Sequence, residues 1–254
     1  MIHETAIIDA TARIGSNVSI GPWTWIGPNV TIGDDCVIGS HVVIKGPTSI
    51  GKQNRIFQFA SIGEDCQDKK YAGEPTELII GDRNVFRECT TVHRGTIQDQ
   101  GLTQIGSDNL FMAYVHVAHD CMIGNQNILA NAVTLAGHVH VGDYVILGGF
   151  TGVHQFCKIG SHAFTAVSSV VVQDIPPFIM AQGHNAVPRT INSEGLKRRG
   201  FSAEQVTQIK RAYKTLYRSG HTLNEALALM AAMQSPDVQL MVDFIGASNR
   251  GIIR

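Results

Sequence analysis

In the stretch Ala12-Arg13-Ile14-Gly15-Ser16-Asn17-Val18-Ser19-Ile20-Gly21, the pair Ile-Gly recurs after six residues. Isoleucine recurs at every sixth position, without a miss, from Ile2 to Ile62. The same spacing of aliphatic or aromatic residues resumes after each of two breaks and continues to Val171, with one miss at Thr165. A period of six fits neither the 3.6-residue turn of a helix nor the alternation of one long strand. We therefore predict short strands separated by regular corners, with the aliphatic residue pointing inward.

Two other positions of the repeat support this interpretation. Glycine often follows the aliphatic residue, and we expect it to ease the bend between strands. Two places before the aliphatic residue stands a small or β-branched one, so Cys36, Cys121 and Cys157 are predicted to be core residues. Repeats of this kind build parallel β-helices. The pattern resembles the hexapeptide-repeat proteins, which implies a left-handed, three-sided form with three hexads in each coil.

Two segments interrupt the repeat, and the texture of the chain changes near its end. Asp68 and Glu74 stand where aliphatic residues are expected, so about residues 64–77 are predicted to loop out, and polar residues 94–104 to form a second loop. Pro176 and Pro177 lack the N–H that pairing between strands requires, so we expect the repeat to end near them. Helix-capping sequences follow. We predict an all-β domain over residues 1–188 and a small α-helical domain over residues 189–254.

Composition excludes several classes of protein. Charged residues are 16% of the chain and the net charge is −1, which argues against a surface built for nucleic acid. No apolar run approaches the roughly 18 residues of a membrane span, so no transmembrane segment is predicted. The five cysteines form no CxxC pair, which favours a reducing, cytoplasmic setting. Basic residues are concentrated between Arg189 and Arg218, and this positive face suits an acidic partner or a phosphate.

The central histidines are the first candidates for chemistry. In a coil of three hexads, Gly137 lies one coil after His119, and we expect His119, His138 and His154 to share one edge of the prism. Such an edge is a candidate acid–base site. Asp120 can fix the tautomer of His119, and the N–H of Gly137 is open to a developing oxyanion.

Other interpretations of these histidines remain open. Proteins of the gamma carbonic anhydrase type hold zinc with three histidines contributed between subunits, and His116, His138 and His140 are the candidates for such a zinc hydratase. A solenoid can also serve as a scaffold without catalysis. Their spacing alone does not single out a metal.

The chain resembles the UDP-N-acetylglucosamine O-acyltransferases along essentially its whole length. Single hexads are shared by many acyltransferases, but this ordered set, with both loops and the helical tail, is specific. A relative that acylates another nucleotide sugar, or an amine, is the nearest alternative. The segments that carry the resemblance are Phe59–Glu64, Lys70–Thr76, Thr91–Thr96, His116–Asp120, Leu135–Val139, Val153–Phe156 and Glu194–Phe201.

The resemblance implies a homotrimer of parallel prisms with active sites in the clefts between subunits. It implies transfer of an (R)-3-hydroxyacyl chain from acyl carrier protein to the 3-hydroxyl of UDP-GlcNAc, the first step of lipid A biosynthesis, with no metal or other cofactor. His119 is then the general base, and the sugar hydroxyl attacks the thioester directly. Asp120 orients His119, and the Gly137 N–H is the oxyanion donor.

The resemblance also assigns the substrate-binding residues. It implies that the sugar and the reacting groups are contacted by Asp68, Lys70, His116 and His138. It implies that the nucleotide is bound by His154, Gln155, Asn192, Glu194, Arg198 and Arg199. The rest of the basic helical face would meet acyl carrier protein. Acyl-chain length would be set near Thr165 and Val167, and the bulk of Val167 predicts a shorter chain than a glycine would allow.

Overall fold

A computed structural model describes residues 1–254 as 27 short strands followed by four helices. Each strand of the repeat pairs in parallel with the strand one coil later, as Ile7 pairs with Trp25. The strands form three sheets, which are the three faces of a prism. The protein is thus a left-handed parallel β-helix with a helical C-terminal part, which confirms the predicted fold class.

The strands alternate among the three faces in chain order. Face 1 contains β1 (Ile7–Ile8), β4 (Trp25–Ile26), β7 (Val43–Ile44), β10 (Ser61–Glu64), β13 (Thr91–His93), β16 (His116–Val117), β19 (Thr134–Leu135), β22 (Gly152–Val153) and β25 (Val170–Val171). Face 2 contains β2 (Arg13–Ile14), β5 (Val30–Ile32), β8 (Thr48–Ile50), β11 (Glu77–Ile80), β14 (Leu102–Ile105), β17 (Met122–Ile123), β20 (His140–Val141) and β23 (Lys158–Ile159). Face 3 contains β3 (Ser19–Ile20), β6 (Val37–Ile38), β9 (Arg55–Ile56), β12 (Val85–Phe86), β15 (Leu110–Phe111), β18 (Ile128–Leu129), β21 (Ile146–Leu147), β24 (Phe164–Thr165), β26 (Ile179–Gln182) and β27 (Val187–Ile191).

The repeat residues fill the interior of the prism. Ile26, Ile44 and Ile62 are completely buried, and the predicted core cysteines are buried with them. Burial raises the pKa of the Cys121 thiol to about 12, so this thiol stays protonated. Thr165, the one miss in the last run of the repeat, is also fully buried, and its hydroxyl lies 2.9 Å from that of Thr151. The miss is therefore a satisfied polar residue inside the core.

The corners are not made by the repeat glycines, contrary to the prediction. The residues with positive φ stand three places after the aliphatic residue and are mostly not glycine, as at Asn17 and Trp23. Gly21 serves another purpose, because a Cβ there would lie 2.7 Å from the backbone carbon of Gly39 in the next coil. The repeat glycines therefore permit close stacking of coils rather than the bend itself.

A column of asparagines inside the prism holds four successive coils together. The backbone N–H of Asn84 donates to Asn54 Oδ1 at 2.9 Å, and that of Asn109 donates to Asn84 Oδ1 at 2.9 Å. Asn127 continues the column in the same way, and its Oδ1 accepts from the N–H of Val145 at 2.7 Å. All four asparagines are buried, so each side chain satisfies backbone groups that water cannot reach.

We expect Asn84→Ala to lower the free energy of unfolding by about 1–3 kcal/mol for each buried group left unpaired. The Asn84 side chain accepts from the N–H of Asn109 and donates to the carbonyl of Gly106, each at 2.9 Å, so the substitution leaves both groups without this partner. Denaturant unfolding of the variant measures the loss. The control is Asn224→Ala, since Asn224 is exposed on a helix and should give a change near zero. Equal stability of the two variants would contradict the role of the column.

The helices close the last coil of the prism. They are α1 (Ser193–Arg198), α2 (Ala203–Tyr217), α3 (Leu223–Ala231) and α4 (Pro236–Gly246). The helix-capping sequences noted above form capping boxes at Ser202 and Thr222. Strand β27 pairs antiparallel with β26 and crosses the boundary predicted at residue 188, and one hydrophobic core runs from the prism into the helices. None of the helices combines the length and the apolar character that a membrane span needs.

Candidate active site

Both loops leave the prism at the same corner, the one between faces 1 and 2. The first loop, residues 65–76, connects β10 to β11, and the second, residues 94–101, connects β13 to β14. The next coil turns this corner at residues 118–121, and the following coils turn it at 136–139 and 154–157. We call these three turns the histidine corner. Chain topology therefore stacks the two loops and the central histidines along one edge.

The deepest polar group of the histidine corner is the carboxylate of Asp120, which is completely buried. His119 Nδ1 lies 2.8 Å from Asp120 Oδ2, and the imidazole is 15% exposed. Burial raises the pKa of Asp120, but hydrogen bonds from His119 and Thr96 outweigh it and hold the pKa below its ordinary value. An ionised carboxylate only accepts hydrogen bonds, so His119 carries its proton on Nδ1 and turns a basic Nε2 outward.

Gly137 lies directly against the His119 ring. A Cβ at this position would be 2.5 Å from His119 Cε1 and 2.6 Å from Nε2, so only glycine leaves room for the imidazole. The N–H of Gly137 makes no hydrogen bond within the chain. The corner thus holds a base and an unpaired N–H donor side by side, with the glycine covered by the ring.

The second loop supplies contacts that the sequence did not predict. Thr96 donates twice to Asp120, from its N–H at 2.8 Å and from its hydroxyl at 2.6 Å. Thr103 accepts a hydrogen bond from the Asp120 N–H at 2.8 Å. Asp99 Oδ2 lies 3.1 Å from Nδ1 of His138. The contacts of an irregular loop do not follow from the six-residue repeat. The corner at which both loops leave the prism, however, can be found by counting residues from coil to coil.

The first loop is tied to the second by a buried guanidinium. Arg94 donates to the carbonyl of Gly63, to Asp65 and, at 3.1 Å, to the Tyr71 hydroxyl. Cys66, within this loop, is buried, and burial raises the pKa of its thiol. The predicted ligand Asp68 accepts from the Lys70 N–H at 2.9 Å.

Lys70 itself is exposed, and its N–H is the group that Asp68 holds. Nothing in the structure joins either residue directly to His119, so contact with a sugar stays a prediction for both.

His138 stacks in the corner, but His154 does not. The rings of His119 and His138 meet edge to face with centroids 5.1 Å apart. The ring that stacks on His138 is that of Phe156, at 4.4 Å, because Phe156 occupies the equivalent turn one coil later. His154 comes at the end of β22, is exposed, and has Nδ1 3.4 Å from a guanidinium nitrogen of Arg250. Gln155 is exposed beside it.

Within one chain, the three histidines considered for zinc do not converge. His116 lies on face 1, where Nδ1 is 2.7 Å from the Thr91 hydroxyl, whereas His140 lies on face 2. Burial lowers the pKa of both rings. The ligand atoms that do converge belong to His119, Asp120 and His138, within 4.8 Å of one another.

His93 is a buried imidazole beside His116. Its ring meets the His116 ring edge to face at 4.9 Å. Burial, followed by the charge of His116, lowers the pKa of His93 to about 4. His93 is therefore neutral at physiological pH.

Three of the predicted nucleotide residues line one cavity on face 3. This cavity of about 400 Å³ lies between the face and helix α1, and it is bordered by Asn192, Glu194 and Arg198. Asn192 also caps α1, accepting from the Gly195 N–H at 3.2 Å and donating to the His162 carbonyl at 3.0 Å. The helix start therefore fixes the position of one wall.

Arg199 lies outside this cavity. Its guanidinium packs over the Tyr144 ring at 5.3 Å and within 3.4 Å of His162 Nδ1. Burial lowers the pKa of Arg199 and, with the charge of Arg199, lowers that of His162 to about 4. The structure gives Arg199 a packing role, and its contact with a nucleotide stays a prediction.

The two residues predicted to set chain length differ in accessibility. The Thr165 side chain lies inside the prism and cannot line an external groove. Val167 is 67% exposed at the corner between faces 3 and 1. Any direct contact with an acyl chain therefore falls to Val167.

Comparison with known proteins identifies the family. Residues 174–253 match the model of UDP N-acetylglucosamine O-acyltransferase domain 2, and residues 11–46 match the bacterial transferase hexapeptide model. The chain is 61% identical to the acyl-[acyl-carrier-protein]–UDP-N-acetylglucosamine O-acyltransferase of Janthinobacterium sp. (strain Marseille), over 100% of this chain and 99% of that one. The chain belongs to the UDP-N-acetylglucosamine O-acyltransferase family.

Solved acyltransferases of this family have the same architecture. The structure of the Francisella novicida UDP-N-acetylglucosamine acyltransferase superposes with a TM-score of 0.98 at 47% identity, covering 100% of this chain and 94% of that one. The Bacteroides fragilis acyltransferase gives 0.98 at 41% identity, covering 100% of both chains. The resemblance seen in the sequence is confirmed, and the chain is an acyltransferase rather than a zinc hydratase or an inert scaffold.

Proposed function

We propose that this acyltransferase moves an (R)-3-hydroxyacyl chain from acyl carrier protein to the 3-hydroxyl of UDP-GlcNAc, the first step of lipid A biosynthesis. The names of its relatives supply the two substrate classes. The observation that carries the mechanism is the His119–Asp120 pair packed against Gly137. The five cysteines are all free, which supports a reducing compartment such as the cytoplasm.

His119 acts as the general base of this reaction. Asp120 holds the proton on Nδ1, so Nε2 takes the proton of the sugar hydroxyl as its oxygen attacks the thioester carbonyl. The carbon–sulfur bond then breaks, and His119 returns the proton to the departing thiol. Because a thioester is already activated, positioning, proton transfer and charge stabilisation suffice, without a covalent enzyme intermediate.

Gly137 supplies the charge stabilisation. The tetrahedral intermediate carries a negative oxygen, and the unpaired N–H of Gly137 lies next to the base that creates it. Phe156 and His138 cover one side of this region, which limits the access of water. The arrangement needs no metal or other cofactor.

The nucleotide cavity and the base cannot serve one substrate within a single chain. His119 lies between faces 1 and 2, whereas the cavity bordered by Asn192 and Arg198 lies on face 3. A site that uses both is formed when face 3 of one subunit meets the histidine corner of the next. Repeated around a threefold axis, this contact closes into a homotrimer.

An exposed row of aromatic side chains supports the same assembly. Trp23, Phe59, Tyr114 and Phe150 stand at alternate turns of the corner between faces 3 and 1, each 59% to 67% exposed. When faces 3 and 1 of neighbouring subunits pack together, this corner points toward the threefold axis. Large exposed apolar side chains grouped along one edge are typical of protein contacts in soluble proteins.

The helical part offers the surface for acyl carrier protein. Its basic residues from Lys210 to Arg218 are exposed on α2 and beyond, and none of them forms an ion pair within the chain. Lys197, by contrast, is paired with Glu194 at 3.0 Å. The free cations would steer an acidic carrier toward the site.

The decisive experiment is mass spectrometry of UDP-GlcNAc incubated with the protein and 3-hydroxyacyl carrier proteins of graded chain length. We expect one O-acylated product, and His119→Ala should lower its rate of formation by about 10²–10⁴-fold. His221→Ala, at a half-buried position between α2 and α3, is the control and should keep wild-type activity. A folded His119→Ala protein with near wild-type turnover would refute the mechanism.

Mixing two inactive chains tests the shared site. We expect His119→Ala and Arg198→Ala chains, unfolded together and refolded, to regain activity, because some clefts combine an intact histidine corner with an intact cavity. Each variant refolded alone is the first control. A chain that carries both substitutions, refolded with wild type, is the second. No gain of activity in the mixture would place the whole site within one chain.

Substitutions at the exposed residue Val167 test whether this residue controls the length of the acyl chain. Val167→Gly should shift the preferred donor to a longer acyl chain, and Val167→Ala should lie between the two. A methyl-scale change discriminates by only about 1–3 kcal/mol, so the shift appears as a change in ratio between donors. The measurement is the product profile with mixed donors, and an unchanged profile would rule Val167 out.

A further inference from the structure

A second carboxylate–imidazole pair lies beside His119 and Asp120. We infer that Asp99 is a positioning residue of the acyl transfer, which holds the imidazole of His138 in one orientation and one tautomer. The inference rests on the proposed function, because His138 is expected to contact the sugar or the reacting groups. Asp99 itself comes from the second loop and reaches His138 across 39 residues of sequence.

The neighbouring rings fix the plane of the His138 imidazole, but they do not decide between the two orientations that differ by a half-turn of the ring. Phe156 stacks on one side at an interplanar angle of 13°, and His119 meets the ring edge to face at 89°. A half-turn about the Cβ–Cγ bond would keep both contacts and exchange the ring nitrogens with carbons. The contact between Asp99 Oδ2 and Nδ1, at 3.1 Å, distinguishes the two states.

The same contact selects the tautomer. Asp120 Oδ2 is 3.8 Å from His138 Nε2, which is beyond hydrogen-bonding distance, whereas Asp99 is within it. A carboxylate accepts, so a neutral His138 carries its hydrogen on Nδ1 and leaves the lone pair of Nε2 free. His138 then accepts a hydrogen bond from a substrate O–H or N–H, a role that the other tautomer cannot fill.

The turn that carries Asp99 is anchored at both ends. Thr96 is held by Asp120, and its carbonyl accepts from the Gly101 N–H at 3.0 Å. Glu77 joins the two sides, accepting from Gly95 at 3.2 Å and donating to Gly101 at 2.8 Å. Any Cβ at Gly95 would overlap the backbone of Leu102, so the close approach needs glycine.

The exposure of Asp99 limits the loss of activity expected when its carboxylate is removed. Its side chain is 36% exposed, so water competes with the contact to His138. Removing a carboxylate that orients a functional histidine typically costs about 10–100-fold, and we expect Asp99→Ala to lie near the lower limit. Loss of the Asp99 carboxylate should lower kcat more than it raises the KM for acyl carrier protein, because the carrier protein binds elsewhere.

The kinetic test compares three variants with wild type. Asp99→Ala should lower kcat by about 10-fold. Asp99→Asn should recover part of this loss, because its amide oxygen still accepts from Nδ1–H. Gln100→Ala is the matched control, since Gln100 is exposed in the same turn and makes no side-chain hydrogen bond. Loss of activity in Gln100→Ala equal to that in Asp99→Ala would reduce Asp99 to a structural residue of the turn.

The spectroscopic test needs no substrate. Nitrogen-15 NMR of ring-labelled histidine, with His138→Gln to assign the resonance, reports which nitrogen of His138 carries the hydrogen. Wild type should show Nδ1–H, and Asp99→Ala should show a mixture of tautomers. Full activity of Asp99→Ala, or an Nε2–H form in wild type, would overturn the inference. Failure of the proposed function would instead appear as absence of acylated product from wild type.

Discussion

The parallel register between successive coils is the constraint on which the site depends. Because each strand pairs with the strand one coil later, as His116 pairs with Thr134, every turn of a given corner lies over the previous one. Both loops insert at the corner between faces 1 and 2, and the strands before them stay in register, since Ser61 pairs with Thr91 and Thr91 with His116. The one irregularity lies at the end of β10, where Glu64 rather than Gly63 pairs with His93. Residues far apart in sequence therefore meet along one edge with the spacing of a β-sheet.

The buried carboxylate of Asp120 joins this framework to the chemistry. A buried charge is costly unless hydrogen bonds satisfy it, and Asp120 receives them from His119 and from two groups of Thr96. The second loop thus stabilises the ionised state that keeps His119 in its basic tautomer. The same loop delivers Asp99 to His138, so one excursion orients both imidazoles. If the second loop were an insertion without a function, it would not need to contact Asp120 and His138 in two successive coils.

Much of this could be predicted from the sequence, because a six-residue period fixes strand, corner and inward residue at once. The stacking of Gly137 against His119 follows from coil counting alone. Counting places His154 in the next turn of the same corner, at residues 154–157, but the ring that stacks on His138 is that of Phe156, two residues later. The asparagine column is hidden in the sequence because the first loop lies between Asn54 and Asn84 and the second between Asn84 and Asn109. The contacts of Thr96 and Asp99 depend on loop conformation, which no period encodes.

The division of the molecule into faces is the reason why the proposed mechanism calls for a second subunit. A single prism has the His119–Asp120 pair at one corner and the cavity bordered by Asn192 and Arg198 on the opposite face. Bending the chain to bring them together would break the ladder that holds the corner in register. Repeating the rigid prism around an axis, as in the proposed trimer, would need no such distortion and would bury the aromatic corner. A stiff solenoid would therefore obtain a two-sided cleft most readily from a second copy of itself.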